Sequence, residues 1–337
     1  MLAATLWVLA IMFVAVGIFH TYVQKKLAVG IQAKANLEYR LDAHSTQSTL
    51  LYLLSSSRMT RAGLTFAQQA DHEFRDQDGQ ISSEPIGDEM LLDGTSYRGI
   101  NEVHFSVQDF SGLISVNVQS AGHFATLLER YESDVAERTR LLSAINDYID
   151  QNELLNLSGA EANDYLQKGL SPPTNDLLRS EPELIRVFGW TEWLSQHPEF
   201  KTEKWLSLSR NPAINLNTMP ADLLQNYFAF SDELTNQLVL ERKANPFLSV
   251  EDFSLRANYS VSLEEVKFRF FPGNEYRLKL WGRGGQAEVI SLQLTPNGLD
   301  GPWLINYGYS VERSEQNNEA VALAQPRLFG DAMDTNR

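Results

Sequence analysis

The sequence predicts an α+β protein in which a long N-terminal helix packs on an antiparallel sheet, and a large all-α insertion interrupts that sheet. Three observations carry this reading. There is no proline before Pro85, and the apolar residues of that stretch recur at helical spacing. Residues 102–118, and again those after 268, alternate apolar with polar and are rich in β-branched and aromatic side chains. Between them, residues 121–253 keep helical spacing and are cut into short pieces by Pro172, Pro173, Pro182, Pro198 and Pro212.

The first element is an apolar run. Residues 2–19, LAATLWVLAIMFVAVGIF, carry no charge, and at 1.5 Å per residue they span about 27 Å, close to a bilayer core. Residues 1–22 are therefore read as a transmembrane segment. A cleaved secretory signal competes with that reading, but no basic n-region precedes the run and no A-x-A site follows it. Lys25 and Lys26 follow the run, and the positive-inside rule alone would place the body in the cytoplasm. A short basic leader encoded upstream of Met1 would remove the conflict. Beyond the run, Leu27, Ile31, Ala35, Leu37 and Leu41, then Leu50, Leu51, Leu54 and Met59, form an amphipathic stripe. It predicts that residues 23–70 continue the helix, either unbroken or with a soft joint near Gly30. A helix of that length spans about 100 Å, so its outer half must leave the membrane and lie along a soluble body.

Residues 71–120 open the sheet. Residues 76–89, DQDGQISSEPIGDE, are polar and turn-rich; EVHFSVQDFSGLISVNV then reads as two strands with a hairpin turn at Ser111-Gly112. Residues 121–267 form the helical insertion. Residues 268–315 close the sheet with three strands, EYRLKLWGRG, QAEVISLQLTP and PWLINYGYSVE. Residues 316–337 are polar and read as a flexible tail.

Composition narrows function. A net charge of −15 argues against nucleic acid or anionic lipid as a partner, because both need dense Lys/Arg. The absence of Cys excludes disulfides, thiol catalysis and Cys-ligated metals. There is no nucleophile elbow, Walker A or G-x-G-x-x-G motif, and WGRGGQ lies between two strand patterns as a turn. The six His are scattered outside ligand spacing. An enzyme would have to rest on carboxylates alone. Residues 214–253 pattern as a helix-hairpin-helix unit around Phe230-Ser231. Its turn, AFSDE, lacks the glycines that let backbone N–H groups reach phosphates, and six acids there face only Arg242 and Lys243.

One stretch is a candidate site. INDYIDQNELLNLSGAEANDY, residues 145–165, holds Asp147, Asp150, Glu153, Glu161 and Asp164. Asp147 and Asp150 lie three apart, which on a helix places them on one face, and Glu161 and Asp164 repeat the spacing. Closely spaced hard oxygens without His or Cys suit Ca²⁺. A solvated acidic loop that caps helices fits the same residues. So does a glycosidase-like carboxylate pair, although no aromatic subsite accompanies it.

The order of the blocks completes the reading. A helix beginning in the membrane is followed by FSVQDFSGLISVNV, DYID with GAE ten residues on, SEPELIRVFGW and INLNTMPADLL. This order resembles the K-type minor pseudopilin of type II secretion systems (GspK) over nearly the whole chain. The resemblance implies a pilin-like α+β domain with a helical insertion and no catalysis. It implies a place at the tip of a periplasmic pseudopilus anchored in the bacterial inner membrane, with I- and J-type minor pseudopilins as partners and secreted substrates as a further contact. Most pilin-like chains carry a Glu at the fifth mature position; residues 2–19 hold no acid, which fits a cap. The resemblance also implies Ca²⁺ in the insertion, bound through D-W-x-D-x-D and G-A-E-D. Here these read D-Y-I-D-Q-N and G-A-E-A. Asp147, Asp150 and Glu161 are kept, Asn152 offers a neutral oxygen, and Asp164 stands in for the acid that Ala162 replaces. Two rival readings are a single-pass, membrane-anchored periplasmic interaction module unrelated to pili, and an anchored hydrolase using the acidic cluster.

Overall fold

The computed structural model describes residues 2–65, 83–87, 89–118, 122–260, 268–282 and 286–312. The predicted tail at 316–337, most of the polar stretch 76–89, and Gly284 and Gly285 lie outside the described residues.

Helix α1 (Leu2–Ser56) is one uninterrupted element of 55 residues, with no joint at Gly30. It is about 80 Å long. Among its described side chains, residues 5–38 are all exposed, and packing begins at Tyr39. Ala43, Thr46, Leu50, Leu53 and Leu54 then recur at three- and four-residue spacing and are buried. Leu27, Ile31, Leu37 and Leu41 of the predicted stripe remain exposed. The body therefore takes only the last part of the helix, less than the stripe suggested. The helix also stops at Ser56, not near residue 70. The Ser55 and Ser56 hydroxyls both donate back to the Tyr52 carbonyl (2.8 and 2.7 Å), which competes with continued helix. The chain then folds back through the bridges Met59↔Leu64 and Leu64↔Met90.

The remaining elements are, in order, β1 (Asp93–Arg98), β2 (His104–Asp109), β3 (Ile114–Ser115), α2 (His123–Leu128), α3 (Val135–Ile149), α4 (Ala162–Gln167), α5 (Trp190–Gln196), α6 (Thr202–Trp205), β4 (Leu206–Ser207), β5 (Ile214–Asn215), α7 (Ala221–Phe228), α8 (Asp232–Ala244), α9 (Val250–Ala257), β6 (Phe268–Arg269), β7 (Glu275–Trp281), β8 (Gln286–Leu294) and β9 (Trp303–Glu312). Five strands form one antiparallel sheet, β1-β2-β7-β8-β9. β2 and β7 are neighbours although the helical insertion separates them in sequence. The three closing strands fall where the alternation placed them. Their period of two sends Tyr276, Leu278 and Leu280 onto the α1 stripe, where they join Phe105, Val107, Ile290 and Leu292 in one core. The helices enclose a second core built on Trp190, Trp205, Tyr148, Tyr165, Phe247 and Phe253.

The structure corrects the opening of the sheet in two respects. Ser111-Gly112 is not a hairpin. It belongs to a 3₁₀ turn, Phe110–Gly112, capped by the Asp109 carboxylate, which accepts from Ser111 N. That turn leads the chain out of the sheet, and β3 pairs in parallel with β4, not back onto β2. Gly112 is required there, since a Cβ would overlap the Thr218 carbonyl. The strand that does pair with β2 on its outer side is β1, DGTSYR. Only Tyr97 of its six residues is buried, so no alternation announced it.

The helix-hairpin-helix pattern is real as a helical pair. Ala229 adopts the left-handed conformation after α7, Ser231 caps α8 and Ser249 caps α9. Arg242, one of its two cations, is buried against Asp93 (3.1 Å) and the Leu216 carbonyl (2.8 Å).

Candidate metal centre and the seam beside it

The acidic stretch begins on α3. Leu141, Ala144, Ile145 and Tyr148 face the helical core, and Asp147 shares that face, fully buried. The helix ends at Ile149, and Asp150 adopts an extended conformation as its C-cap. The shared helix face predicted for Asp147 and Asp150 is thus not formed. Asp150 Oδ1 accepts from Asn152 N (3.1 Å), and Asn152 Oδ1 from Leu154 N (2.7 Å), so both side chains serve local turns. The loop then closes on Asp147. Asn156 donates to Asp147 Oδ1 from its backbone N (3.1 Å) and from its amide. Ser158 takes a left-handed conformation (φ 64°), and Gly159 N bonds back to Asn156 O (2.9 Å). A Cβ on Gly159 would collide with Asp147 Oδ2, so the backbone passes directly over that oxygen. Glu161 is the N-cap of α4, buried at 6% exposure, and Asp164 Oδ2 accepts from its backbone N (3.0 Å).

The structure therefore brings Asp147 and Glu161 together in the interior and engages Asp150, Asn152 and Asp164 in local hydrogen bonds. Three carboxylate oxygens form no well-aligned hydrogen bond, Asp147 Oδ2, Glu161 Oε1 and Glu161 Oε2, the Glu161 carboxylate facing only the Asp164 N–H of its own capping box. Leaving ionised oxygens buried and unpaired is costly. Burial, with Asp147, Glu153, Asp150 and Asp164 adding repulsion, pushes the Glu161 carboxyl up to about 7. Among the described residues, no three His, Asp or Glu side chains form a ready-made metal cluster. The oxygens that are present nevertheless fit a hard divalent cation: Asp147 Oδ2 and the Glu161 carboxylate, without nitrogen or sulfur, beside a backbone turn that carries further carbonyl oxygens.

A contrasting set of buried polar groups joins the helices to the sheet. Glu181, in the SEPELIRVFGW segment, accepts from the Arg277 guanidinium and from the Tyr307 hydroxyl (2.9 Å). Arg277 also donates to the carbonyls of Glu203 and Leu206. Asp109, fully buried at the end of β2, accepts from Ser111 N and Oγ, Asn215 Nδ2, Thr218 Oγ1 and Gly273 N. Asn217 donates to the Phe247 and Phe270 carbonyls and accepts from Phe247 N. The INLNT segment is thus a polar stitch between strand end and helices. Reading the sequence for chemistry passed over Asp109, Glu181, Asn215, Asn217, Thr218 and Arg277. Their signal was polar residues lodged in apolar stretches.

Among the described residues, α1 is the one helix long and apolar enough to cross a membrane; its most apolar 18-residue window has mean hydropathy 2.1 and no buried residue. Residues 100–197 match the family "Type II secretion system (T2SS), protein K". In fold, the chain matches a chain of the GspK-GspI-GspJ complex from the enterotoxigenic Escherichia coli type 2 secretion system. The TM-score is 0.54 at 14% identity, covering 83% of this chain and 99% of that one. No curated protein sequence matches. The sequence match thus covers residues 100–197 and agrees with the resemblance carried by the order of blocks, while the likeness of fold extends over most of the chain.

Proposed function

We propose that this chain is a K-type minor pseudopilin, a structural subunit of a type II secretion pseudopilus. It is anchored in the inner membrane by residues 2–19, with its body in the periplasm and no catalytic role. It caps the pseudopilus tip beside I- and J-type minor pseudopilins, where secreted proteins are a further contact. The observation that carries this reading is the match of residues 100–197 to the protein K family, over a segment that runs from β2 into the helical insertion. The exposed length of α1 supports it: residues 5–38 are all exposed, as in a helix that enters a bilayer and packs among other subunits. Coexpression of this chain with I- and J-type pseudopilins of its own system tests the reading. A stable ternary complex at micromolar concentration is expected. Elution of this chain apart from an intact I–J pair rejects it.

The same reading gives the acidic loop a structural task. Ca²⁺ binds at Asp147 and Glu161, with Asp150, Asn152 and Asp164 as the remaining oxygen donors. The cation neutralises the unpaired carboxylates and fixes the turn between α3 and α4. The three oxygens without a well-aligned hydrogen bond support this assignment.

A further inference from the structure

The segment following α3 holds five leucines in water. Leu154, Leu155 and Leu157 are 78%, 59% and 84% exposed; Leu166 and Leu170 are 61% and 44%. Removing a leucine side chain from water is favoured by on the order of tenfold or more, so such a group forgoes a large gain. The leucines are held outward by structure. The Asp150 and Asn152 side chains fix the turn before Leu154, and the Asn156 bonds to Asp147 anchor the chain between Leu155 and Leu157. Leu170 N bonds the Tyr165 carbonyl (2.9 Å), and Asn175 Nδ2 donates to Glu153 Oε1 (3.0 Å), which brings the stretch after α4 beside the first loop. The five exposed leucines thus lie on two stretches of chain that the Asn175–Glu153 hydrogen bond ties together.

Its rim is acidic. Residues 145–165 contain no Lys or Arg, and Asp150, Glu153 and Asp164 are exposed or half-buried around the leucines. The nearby cations are fewer: Lys168, over the Phe188 ring (4.3 Å), keeps its charge, and Arg179 pairs with Asp176 (2.8 Å). An apolar centre with an acidic rim complements an apolar polypeptide segment bracketed by Lys or Arg, and it repels anionic lipid.

We propose that the leucine-bearing loop and α4 form a docking surface for a basic, leucine-rich segment of a partner protein. This does not rest on the pseudopilin reading, and because Asp150 and Asp164 are also the donors assigned to calcium, it concerns the loop without the cation. The test uses the full chain in zwitterionic phosphatidylcholine nanodiscs, in EDTA, with a fluorescent amphipathic Leu/Lys peptide carrying a photo-crosslinker. Empty nanodiscs give the background. Saturable binding at micromolar Kd is expected, weakening with salt, with crosslinks inside residues 150–177. Leu154→Ser, Leu155→Ser and Leu157→Ser together should weaken it at least about tenfold. Because these side chains are exposed, the melting curve should not move; if it does, Leu157→Ser alone serves, with a smaller loss expected. Affinity unchanged by the serines, crosslinks elsewhere, or equal binding of a Leu/Glu peptide overturns the proposal. Two other results overturn it by naming a different occupant: self-association that the serines dissolve, and capture of phosphatidylglycerol vesicles that the serines abolish.

Discussion

Glu161 and Glu181 lie in the same helical insertion and are almost equally hidden, at 6% and 2% exposure. Their surroundings differ completely. Glu181 meets a guanidinium and a tyrosine hydroxyl, and its partners reach on to the Glu203 and Leu206 carbonyls. Glu161 faces only the Asp164 N–H at the start of its own helix, without a well-aligned hydrogen bond, and the charges around it are other carboxylates. The first is a closed ion pair that fixes how helices sit on a sheet. The second has every property of the first except a cation. Burial alone therefore does not identify a functional carboxylate. The state of its donors does, because an ionised oxygen without one is stable only if something outside the chain supplies the charge.

Four expected outcomes would break or sharpen that contrast. They use the chain lacking residues 1–25, which should be soluble and melt cooperatively, since residues 5–38 are exposed and the buried face of α1 begins beyond them. The largest effect belongs to the closed pair. Glu181→Ala strands Arg277 in the interior and should cost about 3–5 kcal/mol in urea unfolding. Replacing both partners with apolar residues should recover much of that loss. A cost below about 1 kcal/mol would mean that the pair is not holding the seam.

Next comes the open pair. Ca²⁺ at a hundredfold excess over Kd should stabilise the fold by about 2.7 kcal/mol and raise Tm by several degrees relative to EDTA. Mg²⁺ should do less, because it sheds water reluctantly. Asp150→Ala should erase the calcium effect while leaving the sheet folded. Identical melts in Ca²⁺ and EDTA would return the stretch to a solvated acidic loop.

The pH dependence is smaller and of opposite sign to that of an ordinary buried carboxylate pair. Glu161 titrates near 7 in the fold and near 4.5 in the unfolded chain. Between those values the folded state holds a proton that the unfolded state has lost, so stability without metal should fall as pH rises from about 4.5 to 7. Differential scanning calorimetry in EDTA should show a higher Tm at pH 5.5 than at 7.5. Ca²⁺ or Glu161→Gln should flatten this part of the slope; a slope unchanged in the Gln variant assigns it to other groups. The smallest change is Ala162→Asp. It places an acid in the first turn of α4, where the helix dipole favours it and the existing carboxylates oppose it. In EDTA the net shift should stay within about 0.5 kcal/mol. Calcium titration should show severalfold tighter binding, and unchanged affinity would separate Ala162 from the site.

Much of the fold was legible because it rests on short-range periodicity. The stripe residues Leu50, Leu51 and Leu54 and the alternation of Tyr276, Leu278 and Leu280 are read within a few residues of one another. β1 was missed because its side chains are mostly polar and half-exposed. The Ser111-Gly112 turn was misread because a small-residue pair between two β-patterned stretches has the same appearance whether the chain returns to its own strand or leaves for β4. Only the Thr218 carbonyl, distant in sequence, distinguishes the two.

The candidate site divides along the same line. By itself the sequence determined which acids are available: Asp147, Asp150, Glu161 and Asp164, with no basic residue among them. Tertiary structure decided their roles. It ended α3 at Ile149, so that Asp150 turned to its own backbone, and it folded Asn156 and Gly159 over Asp147. It gave Arg277, Tyr307 and Tyr309 to Glu181 and no such partner to Glu161. The physical reason is that ionisable residues are fixed by local sequence, whereas the donors that meet them arrive from strands and loops far along the chain, and that meeting decides whether a buried charge is closed or open.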